Sequence, residues 1–437
     1  MGSIAQTVES ILGTEQVTPW ESVTEPWLSK VKSAIAPDAA PWPDCIALPK
    51  TPAELAAVVD CAHQNQWRVL PCGHGSKLDW GNRVTGADLL ISTQHLNQVI
   101  EHAEGDLTVT VQSGVAFADL QSQLQATRQF LAIDPAYSDA ATLGGIVATR
   151  DTGALRQRYG GLRDMLIGVS FVRHDGQIAK AGGRVVKNVA GYDLMKLLTG
   201  SFGTLGILTQ LTLRTYPQSE TSQTVLLTGD ADAIQSVTAT ILASSLTPVK
   251  MDLVSTQLLP LPQSERLGLV LQFQSIAAGV TEQVERLQAI AQTHQLQSQV
   301  FTDTADGAFW QGLGDTVFAS QNGDVAIAKL GIPPAQAVPL INFLDKTLAA
   351  DSWQARIHAS SGIGTLRLQA DGNSVQALQA VRSHCQTGGG YLNLLAAPPT
   401  WKESFDAWGL APASQLMMAR LRDNFDPQAR FSPGRMG

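Results

Sequence analysis

Cysteine is scarce in this chain of 437 residues. Cys45, Cys61, Cys72 and Cys385 are the whole set, and no two of them form a CxxC pair. That excludes a disulfide framework, a zinc ribbon and a protein-held iron–sulfur cluster, and it fits a reducing, cytoplasmic compartment. Histidine is sparse as well. The eight (His63, His74, His95, His102, His174, His294, His358 and His384) form no HxH or HxxxH pair, so no metal-ligand spacing is present. No stretch approaches the roughly 18 apolar residues of a membrane span. The start, MGSIAQTVES, has neither the basic residues nor the apolar run of a secretory signal, and Gln6 breaks the myristoylation pattern. Positive charge is in deficit, with a net charge of −8, which argues against nucleic acid as a partner.

What is present points to a soluble multidomain protein. Apolar residues make up 44% of the chain, and its length suits two or three domains at about 150 residues each. The charge is uneven. Residues 150–196 hold nine Lys/Arg against four acids, either a solvated basic face or a site for an anionic small molecule.

Residues 1–37 read as a helical lead-in. Thr51 and Glu54 then form a capping box with Pro52 at the first helical position, and Leu55, Val58, Val59 and Ala62 make one apolar face. Trp67–Leu70 reads as a strand, followed by a tight loop from Pro71 to Gly81. Leu107, Val109 and Val111 alternate as in a strand, and Leu120 and Leu124 suggest a helix. The stretch MLIGVSFVRHDGQIAKAG reads as a hairpin turning at Asp175-Gly176. After Ser219 strand and helix patterns alternate and then partly repeat, which predicts an α+β domain. Its two β-α-β-like halves would form one antiparallel sheet of ferredoxin-like character, with helices on one side.

Glycine carries the chemical signal. GHGSKL (Gly73–Leu78) begins like GxGxxG but has Leu78 at the third glycine position, and no GxxxxGK[ST] exists. A nicotinamide Rossmann site and a P-loop are therefore both disfavoured. What remains is either a structural turn or a nest, in which glycines turn successive N–H groups onto one anion and Ser76 and Lys77 add a hydroxyl and a charge. Two further loops, Thr142/Gly144/Gly145 and Gly200/Gly203/Gly206, lie far away in sequence. Three such loops converging on one ligand would suit a dinucleotide with a pyrophosphate and a large planar ring.

Pro71–Lys77, Thr142–Gly145, Gly203–Thr209 and Asp426–Gly434 together resemble the FAD-linked oxidase family with its vanillyl-alcohol-oxidase, or PCMH-type, flavin domain. More narrowly, VVKNVAGYDLMKLLTGSFGTLGILT and FDPQARFSPGRM are similar to the GlcE subunit family of glycolate oxidase/dehydrogenase. The resemblance implies an α+β protein. A PCMH-type FAD-binding domain of two α/β subdomains would span 38–218, a ferredoxin-like cap 219–420, and a C-terminal segment, 421–437, would return to the flavin domain. It implies FAD held by Pro71, Gly73, His74, Gly75, Ser76, Lys77, Thr142, Gly144, Gly145, Lys187, Asn188, Gly203, Thr204, Gly206, Ile207 and Arg435. Tyr192 and Asp193 would belong to the same wall, or else be a core contact and a helix cap. Some relatives attach the flavin through a His in the first loop. Ser76 occupies that position here, which implies non-covalent FAD.

Relatives that oxidise 2-hydroxy acids also carry clustered His/Glu metal ligands, which this chain lacks. Arg356, His358 and Arg367 are the best catalytic candidates, with a solvated strand face as the alternative. The resemblance implies a flavin subunit in glycolate-to-glyoxylate oxidation, with a catalytic flavoprotein paralogue and an iron–sulfur subunit as partners. It implies a cytoplasmic place, or a peripheral one at the inner face of the membrane through those partners. The alternatives are a non-catalytic structural partner that keeps the flavin fold, or a stand-alone FAD-dependent 2-hydroxy-acid dehydrogenase.

Overall fold

The computed structural model describes residues 2–183, 191–259, 267–319, 325–349, 351–369 and 374–436. The chain forms two units. The first comprises Met1–Thr152, Gly161–Pro217 and Leu410–Gly437, and the second Gly153–Gly160 and Gln218–Gly409. The return to the first unit thus begins at Leu410, earlier than the expected 421, and residues 153–160 group with the second unit.

In the first unit, β1 (Val17–Pro19), β2 (Cys45–Ala47), β3 (Val69–Cys72) and β4 (Leu89–Ser92) form a sheet of order β1-β2-β4-β3. β4 runs parallel to both β2 and β3. Helices α1 (Ile4–Leu12) and α3 (Pro52–Gln64) bury one face of it, against Cys45, Ala47, Val69, Leu89 and Ile91. Helix α2 (Trp27–Ala34) buries the other, through Val31 and Ala34 against Ile46, Leu70 and Leu90. Burial on both faces explains the unbroken apolar run Leu89-Leu90-Ile91, since parallel strands have no solvent side. The Thr51–Glu54 capping box opens α3 with Pro52 in its first turn, as its sequence predicts. The segment expected as a helical lead-in thus contributes Val8, Leu12, Val17, Val31, Ala34 and Ile35 to the core of this unit.

A second sheet in this unit is antiparallel, with order β5-β6-β10-β8-β9: β5 (Val99–Ala103), β6 (Thr108–Gln112), β8 (Leu166–Val172), β9 (Ile178–Gly182) and β10 (Ile207–Arg214). β8 and β9 are the predicted Asp175-Gly176 hairpin. Two short strands, β7 (Gln129–Phe130) and β11 (Tyr216–Pro217), pair with each other. Helices α4 (Phe117–Gln125), α5 (Leu143–Thr149), α7 (Leu162–Met165), α8 (Leu194–Leu198) and α15 (Pro412–Phe425) complete the unit. The C-terminal segment adds Phe431 beside Val69 at the edge of β3.

The second unit begins with α6 (Arg156–Tyr159) and then repeats one motif. The first copy is β12 (Thr221–Thr228), α9 (Ala231–Leu242), β13 (Lys250–Ser255), β14 (Leu267–Ser275), α10 (Ala277–Thr293) and β15 (Gln297–Thr302). The second is β16 (Val325–Gly331), α12 (Ala337–Thr347), β17 (Trp353–His358), β18 (Ile363–Gln369), α13 (Ser374–Thr387) and β19 (Tyr391–Ala396). Each copy is the β-α-β-β-α-β order of a ferredoxin-like fold. The sheet runs β15-β12-β14-β13-β17-β18-β16-β19, the copies meeting where β13 pairs with β17. Helix α14 (Pro399–Ser404) follows.

Helices were expected on one side of this sheet only, and that expectation is corrected. The linking helix α11 (Asp303–Phe318) packs Phe309, Trp310, Leu313 and Val317 onto Leu226, Val254 and Val270, while α9, α10, α12 and α13 pack among themselves elsewhere. The sheet needs a second cover because strands such as Leu267–Phe273 are buried at every residue.

Candidate cofactor site

The three glycine loops meet at one cleft in the first unit. Pro71, Gly73, His74, Gly75, Ser76, Lys77, Thr142, Gly144, Gly145, Gly203, Gly206, Ile207 and Arg435 all line it. The first loop leaves the C-terminal end of parallel strand β3, where ligands of α/β sheets gather. It touches the second loop so closely that a Cβ on Gly73 would sit 2.0 Å from Thr142 Oγ1. The third loop closes on the first at Gly203, which has φ +71° and whose Cβ would lie 2.8 Å from Pro71 Cγ. Thr142 caps α5, accepting from Gly145 N at 3.3 Å, so the start of that helix is held in the wall.

The first loop has an unusual hydrogen-bond state. Among the described residues, no protein acceptor takes the backbone N–H groups of His74, Gly75, Ser76 and Lys77. Its carbonyls, by contrast, are engaged. Cys72 O accepts from Thr93 N at 2.9 Å and from Thr93 Oγ1 at 3.2 Å, and Gly73 O accepts from Ser92 Oγ at 2.8 Å. Successive donors without a protein acceptor at the wall of a cleft are what an anion cradle requires.

Charge at the cleft differs from the sequence expectation. Lys77 is buried, and its ammonium lies 2.9 Å from Asp151 Oδ2. Asp151 therefore already answers the charge that Lys77 was expected to offer a ligand. Arg435 is a second buried cation in the lining, and it donates Nη1 to the carbonyl of Trp80 at 2.8 Å. Burial pulls its guanidinium down to about 10, with Asp79 opposing. An FAD pyrophosphate fits this combination of free N–H groups and buried guanidinium, and the apolar wall of Leu70, Ala148, Ile207 and Leu208 fits a ring system.

Some expected residues stand elsewhere. Thr204 is buried, donates to Ser201 O at 2.7 Å and does not line the cleft. Lys187 and Asn188 lie outside the described residues. Tyr192 is 90% exposed, so it is not a core contact. Asp193 precedes α8 without a side-chain cap bond and pairs with Lys196 at 2.9 Å. No described residue of the basic window 150–196 lines the cleft. Within it, Arg173 pairs with Asp175, and Arg156 and Arg158 belong to the second unit. The sequence reading missed Thr93, Ser113, Trp80, Thr149 and Ser432 in the lining. Thr93 follows β4, the parallel neighbour of β3, and that adjacency was the available signal.

The second unit brings together two of the three catalytic candidates. On β17, Arg356 Nε and His358 Nδ1 each lie 2.6 Å from one oxygen of Asp252 on β13. Asp252 is fully buried. Burial alone would raise its pKa, but the charges and hydrogen bonds of His358 and Arg356 hold the carboxyl well below the usual carboxylate range. Arg367 leaves this group. Although its strand position pairs with Gln354, its guanidinium donates to Ala319 O at 2.6 Å, at the end of α11. None of the three is on a solvated strand face: all are buried or nearly so. A second carboxylate, Asp306, accepts from Ser222, Thr224 and Gln272.

Comparison with known proteins agrees with the cleft. Residues 43–182 match the FAD binding domain family. The chain is 30% identical over 277 residues to "Glycolate oxidase subunit GlcD" of Bacillus subtilis (strain 168), covering 61% of this chain and 59% of the relative. It is 25% identical over 336 residues to the mitochondrial "D-lactate dehydrogenase [cytochrome]" of Arabidopsis thaliana, covering 74% of this chain and 59% of that protein. The matches thus span about three-fifths of each relative's length. Among solved structures, p-cresol methylhydroxylase with substrate bound superposes with a TM-score of 0.77 at 14% identity, covering 99% of this chain and 96% of that one. At that identity the likeness is one of fold.

Proposed function

We propose that this chain, which carries an FAD-binding domain and is related to FAD-linked oxidoreductases, is the GlcE-type flavin subunit of a glycolate-oxidising complex. It would hold FAD non-covalently, with Ser76 where covalent relatives place a histidine, and pass electrons to an iron–sulfur partner. The observation that carries the cofactor reading is the run of unpaired N–H groups from His74 to Lys77 at the cleft wall. FAD, when bound, supplies the acceptor for a hydride from the carbon bearing the hydroxyl. The chain's own residues have the remaining tasks. The loop and Arg435 would hold the pyrophosphate, and the glycines would let backbone approach the ring.

In the second unit, Asp252 fixes the His358 ring through Nδ1. His358, with Nδ1 so engaged, is the candidate for handling the hydroxyl proton. Arg356, whose Nε is engaged by Asp252 at 2.6 Å, is the second candidate of this group. The substrate class, a small 2-hydroxy acid, is carried over from the names of the two relatives.

The need for partners is supported by what the residues offer. The four cysteines are unpaired and scattered, so electrons have no cluster in this chain. Among the described residues, no group of three His, Cys, Asp or Glu is placed to hold a metal. Helix α15 exposes Leu416, Met417 and Met418, a surface that suits a protein contact. No helix among the described residues is long and apolar enough to cross a membrane.

The test is the isolated protein followed by the reconstituted complex. The pure chain should be yellow, acid should release intact FAD, and glycolate-dependent dye reduction should be slow until partners are added. A colourless chain that takes up no FAD would sink the cofactor reading. Rapid turnover by the chain alone would replace the subunit reading with a stand-alone dehydrogenase.

A further inference from the structure

We infer that helix α2, which lies before the matched FAD-binding segment 43–182, belongs to the cofactor machinery, and that Lys30 is the positioning residue that orients the anion-binding loop. The inference rests on the reading of the cleft as an FAD site.

Two contacts join α2 to the loop. Lys30 Nζ donates to His74 O at 2.8 Å. Gly75, at φ +72°, lies so close under the helix that a Cβ there would meet Trp27 Cζ3 at 3.1 Å and Lys30 Cδ at 3.2 Å. The Lys30 ammonium also lies 5.3 Å from the centre of the Trp27 ring, which holds the side chain over the loop. Neither Trp27 nor Lys30 lines the cleft, whereas His74 and Gly75 do. The helix therefore stands behind the loop.

The consequence follows from peptide geometry. In a planar trans peptide the C=O of one residue and the N–H of the next point in opposite directions. Lys30 draws the His74 carbonyl toward α2, so the Gly75 N–H is aimed away from α2. Ser92 does the same one residue earlier, holding Gly73 O and aiming the His74 N–H. Thr93 holds Cys72 O one residue before that. Three consecutive carbonyls are thus tied back, two by Ser92 and Thr93 at the end of β4 and one by α2. Of the three ties only the one from Lys30 is charged, and it acts on the peptide that leads into Gly75, the residue with positive φ, where a peptide can otherwise turn over most readily. If the 74–75 peptide flipped, a carbonyl would face the anion in place of a donor. Lys77, the loop's own lysine, cannot substitute, because it is already paired with Asp151.

The test compares Lys30→Met, which keeps the hydrocarbon stem over Gly75 and Trp27 and removes the ammonium, with Lys30→Arg, which keeps a charged donor. Each full-length protein is stripped of cofactor and titrated with FAD. Amide hydrogen exchange over residues 73–78 is followed with and without FAD, and thermal unfolding of the stripped protein reports on the fold. Lys30→Met should bind FAD about tenfold to a hundredfold more weakly. Its unfolding midpoint should match wild type, and the FAD-induced protection of the loop amides should be lost. Lys30→Arg should restore both. Should Lys30→Met not fold, Lys30→Gln against Lys30→Arg gives the same comparison. Wild-type affinity in the neutral variant overturns the inference, as does weakened affinity with loop protection intact. Failure of wild type itself to bind FAD is a different result, and overturns the cofactor reading first.

Discussion

The two units treat their polar groups in opposite ways. In the first, a loop in the wall of a cleft leaves the N–H groups of four consecutive residues without a partner, while the carbonyls on its other side are tied back. In the second, a buried sheet face carries two carboxylates that are each saturated by neighbours. Asp306 is satisfied by two hydroxyls and an amide, and Asp252 by a guanidinium and an imidazole. Unsatisfied donors cost stability unless something outside the chain completes them, whereas a satisfied network is finished within the chain. The first unit is therefore built to be completed by a ligand. The second is built to hold a few side chains in fixed positions.

The sharpest way to break this contrast is to fill the cleft. Gly144 N donates to Ser113 O at 2.7 Å, and a Cβ at Gly144 would lie 2.8 Å from Ser113 Cβ. Gly144→Val should abolish flavin binding, read as loss of visible absorbance relative to protein. It should also lower stability by about 1–3 kcal/mol through overpacking. A variant that keeps full flavin would mean that the cofactor does not depend on this wall.

The second unit should respond in stability and not in cofactor content. Asp252→Asn leaves Arg356 and His358 facing a neutral amide, and breaking a buried pair in this way costs about 3–5 kcal/mol. Urea unfolding should show that loss while FAD content stays at the wild-type level. The pH dependence has a definite sign. The native carboxyl of Asp252 titrates below its ordinary value of 3.8, so its contribution is complete above that pH and is lost as pH falls below it toward the native value. The gap between wild type and Asp252→Asn should therefore be constant above about pH 5 and narrow on acidification below 3.8. A gap that widened toward acid would assign the stabilisation to another group.

Much of this contrast could be read in the sequence, and the part that could not has a physical reason. The capping box before α3, the Asp175-Gly176 hairpin and the alternation of β6 are local patterns, and each appears where its residues predict. The three glycine loops were visible because conformational freedom is written in residue type, though not which backbone groups would be left unpaired. The pairings that give the site its character join distant positions. Lys30 meets a carbonyl 44 residues away, and Arg356 meets Asp252 across 104 residues. Such contacts leave no periodicity in either segment. Helix α2 is only 8 residues long and gave no strong helical signal, so its place behind the loop was hidden. The basic window misled for the converse reason: several of its charges find partners inside the window.

The smallest expected effect tests how far the first unit's ligand wall extends. Family resemblance puts Tyr192 in the flavin wall, but the ring is 90% exposed. It precedes Asp193, whose carboxylate is taken by Lys196 at 2.9 Å. A side chain with that exposure has little apolar burial to lose and no place in the cleft lining, and surface substitutions of this kind usually fall within about 0.5 kcal/mol. Tyr192→Ala should therefore leave both the unfolding midpoint and the FAD affinity at wild-type values, the latter within about twofold by that same figure. An FAD affinity reduced tenfold or more, with the unfolding midpoint unchanged, would mean that the segment before α8 reaches the cofactor after all. The cradle would then be four-sided, and the boundary between what the ligand completes and what the chain completes would move beyond the three glycine loops.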